Sequence, residues 1–104
     1  MKVLFPGRFQ PFHAGHQEVV RQLLEGGDDV IIGIRDTDIN EQNPYTAEAR
    51  MQAIKYLYAK EPRVSVRVIP DFDWIAAGRD PGWWLAYVEV DEEIANIRAR
   101  DLRQ

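Results

Sequence analysis

His13 and His16 stand three residues apart with Ala14-Gly15 between them. They close the stretch Gly7-Arg8-Phe9-Gln10-Pro11-Phe12, which carries an arginine and two aromatic residues. Several chemistries are open to such a pair. Metal-binding histidines on a helix prefer a spacing of four, and no convincing third ligand lies nearby, so the pair does not read as a metal site. Nucleophilic catalysis by serine is disfavoured, because Ser65 is the only serine and falls inside a predicted strand. Cysteine is absent, which removes disulfides, thiolate metal sites and thiol nucleophiles. Phosphate handling fits better. Both imidazoles can donate hydrogen bonds to phosphate oxygens, and Gly15, lacking a side chain, lets a base or ribose approach the backbone. Donors held in place stabilise the charge that builds during attack on an α-phosphate, with no covalent role for the protein. A free imidazole has a pKa of about 6.5, so the sequence leaves open whether these are neutral donors or partly protonated ones.

The flanking elements put the pair where an anion would bind. Val3-Leu4-Phe5 belongs to a predicted strand over residues 2–5, ended by Pro6 and Gly7. Val19, Val20, Leu23 and Leu24 form the apolar stripe of a helix over about 14–25, stopped by Gly26-Gly27. The histidines therefore sit where a strand hands over to a helix. Helix N-termini carry unpaired N–H groups and the positive end of the helix dipole, which favours phosphate.

Further along, Val30-Ile31-Ile32-Gly33-Ile34 marks a buried strand over 29–34, completing a right-handed βαβ unit. Residues 35–45 are polar and read as a loop of functional length. Thr46 looks like an N-cap, without a capping box because Ala49 stands at N3. The helix that follows covers about 47–60, with Met51, Ile54, Leu57 and Tyr58 inward and Pro62 beyond its end. Val64 to Ile69 alternates and makes a third strand. Residues 70–82 are irregular or hold a short helix, 83–90 read as a helix start followed by a strand, and the tail from Asp91 reads as a helix. This order gives a single small α/β domain with a parallel sheet over residues 1–104. In such sheets ligands sit at the carboxyl ends of the strands, where the histidine loop emerges.

With 29% charged and 45% hydrophobic residues, the composition is that of a soluble globular chain. A net charge of −4 argues against a general nucleic-acid partner. No apolar run reaches the roughly 18 residues that span a bilayer, and the strand at the N-terminus leaves no signal-peptide core, so no membrane association and a cytoplasmic location are expected. A chain of 104 residues buries a modest core, which makes a homo-oligomer an option, with Trp83-Trp84 as a packing or dimer contact.

Gly7 to His16 resembles the signature of the HxGH nucleotidyltransferase superfamily, the cytidylyltransferase-like group, which includes nicotinamide-mononucleotide and phosphopantetheine adenylyltransferases. The resemblance implies a Rossmann-like parallel sheet with helices on both faces. It implies transfer of AMP or CMP from an NTP to a small phosphorylated acceptor, with Mg²⁺ assisting and pyrophosphate leaving. His13 and His16 would contact the triphosphate, and Gly7, Arg8, Phe9 and Gly15 would line the nucleotide site. Asn43-Pro44-Tyr45-Thr46-Ala47-Glu48-Ala49-Arg50 is similar to the Asn-Pro-Phe-Thr-x-x-Glu-Arg run of archaeal-type members, with Ala49 in place of the Glu. It implies substrate contacts at Thr46 and Arg50, the latter because a guanidinium grips phosphate bidentately. Arg79, in the turn Gly78-Arg79-Asp80, is a further candidate for substrate phosphate.

The family's Ile-Ser-x-Thr-x-x-Arg run has its best counterpart in Ile97 to Arg103, where Arg98 and Arg100 replace the hydroxyl residues. Arg100 and Arg103 share a helix face and would take the nucleotide phosphates. The alternative is a nucleotide-binding protein with a degraded second phosphate motif and little or no transferase activity.

Overall fold

The computed structural model describes residues 1–76. They form β1 (Lys2–Gly7), α1 (Ala14–Glu25), β2 (Asp29–Arg35), α2 (Ala47–Leu57) and β3 (Val64–Ile69). The sheet is parallel in the order β1-β2-β3. β1 pairs with β2 from Lys2↔Asp29 to Gly7↔Ile34. β2 pairs with β3 from Val30↔Val64 to Arg35↔Ile69. This is the Rossmann-like α/β arrangement that the sequence predicts. The elements expected after residue 76, including the strand within 83–90 and the tail helix, lie outside the described residues. No helix among the described residues is long and apolar enough to cross a membrane.

Side chains alternate across a strand, so Val30, Ile32 and Ile34 point to one face of the sheet. All three are buried, together with Val66 from β3, Val20 from α1 and Ile54 from α2. Both helices therefore cover the same face, as two right-handed crossovers in the same direction require, and a helix on the opposite face, which the resemblance implies, does not occur among the described residues. Each such aliphatic side chain contributes about 1.5–3 kcal/mol on burial. The opposite face carries Leu4, 53% exposed, next to Ile31 and Gly33.

The ends of the elements differ from the sequence expectation in instructive ways. β1 continues through Pro6 and Gly7, because a proline is tolerated where the ladder does not call on its missing N–H. α2 stops at Leu57, three residues early, and Tyr58 serves as its C-cap. Leu57, expected inward, is 48% exposed, while Arg50 is the residue of α2 that is buried beside Ile54.

The seventh core residue is Phe9, which sits in the loop after β1 and is 2% exposed. Its ring meets Phe5 edge-on at 5.5 Å and Phe12 at 5.2 Å. It also lies against the backbone of Gly7, where an added Cβ would come within 2.6 Å of Phe9 Cε1 and 2.7 Å of Cζ. The ring is enclosed and cannot retreat. Gly7→Ala is therefore expected to destabilise the fold by about 1–3 kcal/mol, seen as a lower urea midpoint with an unchanged slope.

Candidate functional site

The loops that leave β1 and β2 emerge at the carboxyl end of the sheet, and α1 begins there. His13 is the N-cap of α1, with extended backbone at φ −128° and ψ −175°. Its Nδ1 accepts a hydrogen bond from the Gly15 N–H at 3.1 Å. The His13 N–H in turn donates to His16 Nδ1 at 3.0 Å. The two imidazoles thus form a reciprocal capping box, a role usually filled by Ser or Thr with Glu or Gln. Two of the N–H groups at this helix start, those of His13 and Gly15, are thus taken up by the imidazoles.

This arrangement decides the protonation state that the sequence leaves open. A backbone N–H can only donate, so each Nδ1 must present a lone pair and each ring carries its proton on Nε2. Neither Nε2 has a hydrogen-bond partner among the described residues. Burial pushes the His16 pKa down to about 3, with the neighbouring His13 adding to the effect. Burial lowers the His13 pKa as well. Both are neutral donors at pH 7, and each relays the polarity of a backbone N–H through its ring.

The rings stack with centroids 3.7 Å apart at 27°. Phe12 extends the stack on His16 at 5.2 Å and 28°, and the edge of Phe9 closes it at 4.9 Å. Both imidazoles are therefore held in one orientation by hydrogen bonds at one edge and aromatic contacts on their faces. An apolar recess of about 200 Å³, lined by Pro11, Phe12, Tyr45, Ala53 and Leu57 among others, includes neither histidine in its wall. The recess and the histidine pair are neighbours that share the Phe9 and Phe12 rings, and Arg50 also borders the recess.

Residues 4–99 match the cytidylyltransferase-like family. The chain belongs to that family. It is 37% identical over 96 residues to a nicotinamide-nucleotide adenylyltransferase of Ignicoccus hospitalis, covering 86% of this chain and 53% of that protein. A nicotinamide-nucleotide adenylyltransferase 1 of Sulfolobus acidocaldarius is 36% identical over 85 residues, 80% of this chain and 48% of its own length. A phosphopantetheine adenylyltransferase of Phocaeicola vulgatus is 40% identical over 65 residues, 62% of this chain and 42% of its own. The chain thus spans about half the length of these curated relatives.

The other candidates for cytidylyltransferase-like roles fall in different surroundings. The Arg8 side chain is exposed beside the histidines in sequence. Phe9 puts its ring into the core, 2% exposed, where it also forms part of the wall of the apolar recess. Gly7 is the glycine on which that ring rests, and Gly15 is buried with its N–H on His13. Thr46 caps α2, its Oγ1 accepting from the Ala49 N–H at 3.0 Å, and no capping box forms there. Arg50 is 4% exposed and turned inward. Its Nη1 donates to the backbone oxygens of Arg8 at 2.6 Å and Arg35 at 2.8 Å. Its Nε donates to Thr46 O at 3.2 Å, and its Nη2 lies 3.4 Å from Thr37 Oγ1. Arg79, Arg100 and Arg103 lie outside the described residues, as do Trp83 and Trp84.

Two residues joined to this framework escape the sequence reading. Gln10, 3% exposed, donates from Nε2 to Tyr45 O at 3.1 Å and accepts at Oε1 from the Tyr45 N–H at 3.0 Å. Its Nε2 also reaches Thr37 Oγ1 at 3.3 Å. These partners are 35 and 27 residues away, beyond any spacing rule. For the cap, a signal did exist: His13 and His16 stand at the N-cap and N3 positions that a capping box occupies.

The pH dependence follows from the cap. The unfolded His16 has a pKa of about 6.5 and the folded one about 3. Between these values the unfolded chain binds the extra proton, so stability is full above about pH 6.5 and falls as the pH drops toward 3. Urea denaturation at pH 7.5 and 5 is expected to show this loss, and NMR to show Nε2–H tautomers for both imidazoles, with the His16 ring not titrating between pH 7.5 and 6.

Proposed function

We propose that this chain transfers a nucleoside monophosphate, AMP or CMP, from an NTP to a small phosphorylated acceptor, with release of pyrophosphate. The observation that carries the reading is the pair of neutral imidazoles that cap one helix start through Nδ1 and leave both Nε2–H groups without a partner among the described residues. An acceptor phosphate oxygen attacks the α-phosphorus, the bond to the bridging oxygen breaks, and pyrophosphate leaves with the electron pair. Negative charge grows on the bridging and non-bridging oxygens, where fixed N–H donors are most effective. Neutral imidazoles suit this role, since they stabilise charge without having to give up a proton. Arg8 adds a mobile positive charge for the phosphates.

The names of the relatives support adenylyl over cytidylyl transfer. The relatives matched over most of this chain are named for nicotinamide nucleotide, which supports a mononucleotide acceptor. Mg²⁺ is expected with the NTP. Among the described residues no three of His, Cys, Asp or Glu gather to hold a metal ion, and the histidines present N–H groups rather than lone pairs. These residues do not form a metal cage. Mg²⁺ bound through nucleotide phosphates and water needs none from them.

The test is pyrophosphate release from each NTP against a panel of phosphorylated acceptors. Turnover with ATP and nicotinamide mononucleotide is expected. His16→Ala and His16→Gln should each lower kcat by about 10²–10³, as removal of one such donor does. The Gln variant can still accept from the His13 N–H and so keeps the capping box, while a flexible side-chain amide replaces the stacked ring that holds the outward N–H in place. Failure to bind any NTP in the presence of Mg²⁺ would refute the reading. Tight NTP binding without turnover would favour the non-catalytic alternative raised by Arg98 and Arg100.

A further inference from the structure

We propose that Arg50, with Thr37 and Gln10, is a positioning residue that shapes the phosphate site from inside the domain and touches neither substrate. The proposal rests on the nucleotidyl-transfer reading and assigns to the second motif a role different from an acceptor contact. Arg50 lies on α2, yet its donors reach the backbone of three segments: the motif loop at Arg8, the end of β2 at Arg35, and the start of its own helix at Thr46. A guanidinium has five N–H groups in a rigid planar fork, which can serve several carbonyls at once. To reach a phosphate outside, Arg50 would have to abandon these bonds, leaving the carbonyl of Arg8 without its guanidinium donor and that of Arg35 with the Thr37 N–H alone. Each buried polar group stripped of its partner costs about 1–3 kcal/mol.

The backbone between the anchors shows what the clamp is for. Phe9 has φ 51°, the left-handed region that residues with a side chain avoid. Such a conformation costs on the order of 1–3 kcal/mol and persists where the surroundings over-determine it. Here it is held from both sides. Arg50 takes the carbonyl of Arg8 just before it, and the Gln10 amide is bonded both ways to the Tyr45 backbone just after it. Thr37 Oγ1 lies between the clamps, within reach of Gln10 Nε2 and Arg50 Nη2. The kink at Phe9 buries that ring against His16 and leaves the Arg8 side chain outside. The inward arginine thus fixes where the outward arginine and the imidazoles stand.

The test uses the full chain with Arg50→Lys, which keeps the charge and loses the fork. In the absence of ligand, the amide resonances of Phe9, Gln10, Gly15, His16 and Thr37 are expected to shift. With acceptor absent, affinity for ATP with Mg²⁺ should fall about tenfold, the factor that corresponds to roughly 1.4 kcal/mol. In turnover, kcat should fall more than acceptor KM rises. Thr37→Val, which keeps the shape and removes the shared hydroxyl, should shift the same amides by less. In the unaltered protein the Arg50 Nε–H should exchange slowly with solvent and stay unmoved when nicotinamide mononucleotide is added, a measurement that needs no variant to fold. The proposal is overturned if Arg50→Lys leaves the ligand-free amides in place and raises only acceptor KM, or if the Arg50 Nε–H moves on adding acceptor. A chain that binds no ATP refutes the transfer reading, whereas the ligand-free amides and the Nε–H decide the positioning role by themselves.

Discussion

The hydrogen bond from a backbone N–H into an imidazole Nδ1 occurs twice at the start of α1, and the character of the site depends on it. It sets the tautomer of both rings, keeps them neutral, and turns the remaining N–H of each away from the helix. A serine or aspartate cap would satisfy the same helix but would end the chain of polarity at the cap. An imidazole has a second nitrogen on its far edge, so the donor strength of the helix terminus is handed outward by one ring width. Stacking between the rings and against Phe12 then removes the rotational freedom that two exposed histidines would otherwise have.

The proposed phosphate grip requires donors that are in place before charge develops. The structure achieves this with few residues. The loops after β1 and β2 meet the start of α2 at Arg50, Thr37 and Gln10, so segments remote in sequence share a small set of buried polar atoms. Most of the core is aliphatic and lies between the sheet and its two helices. The polar framework sits at one edge of that core, at the carboxyl ends of the strands. Stability and geometry are therefore supplied by different parts of the same small fold.

The local elements were legible because each has a short-range cause. The β-branched runs of β2 and β3, the apolar stripe of α1 and its Gly26-Gly27 stop all stand within a dozen residues of what they determine. The placing of the histidine pair where a strand hands over to a helix was legible for the same reason. The charge state of the histidines was not, because it turns on which ring nitrogen meets the backbone. The surroundings of Arg50 were not legible for a different reason: its hydrogen bonds go to carbonyls of segments distant in sequence, which only the fold brings together. Leu57 misled as an apolar residue at a core-facing spacing that ends up on an open recess once α2 stops there.

Phe9 has a consequence for how this protein can change. Its backbone favours glycine, while its side chain fills the centre of the core beside Gly7 and His16. Glycine would relieve the first demand and empty the second, and a β-branched residue would meet neither. Asparagine tolerates the left-handed backbone but would bring an amide into an aromatic cluster. Few single replacements satisfy both at once, so divergence at this position would have to proceed through paired changes in the glycine and the aromatic rings around it.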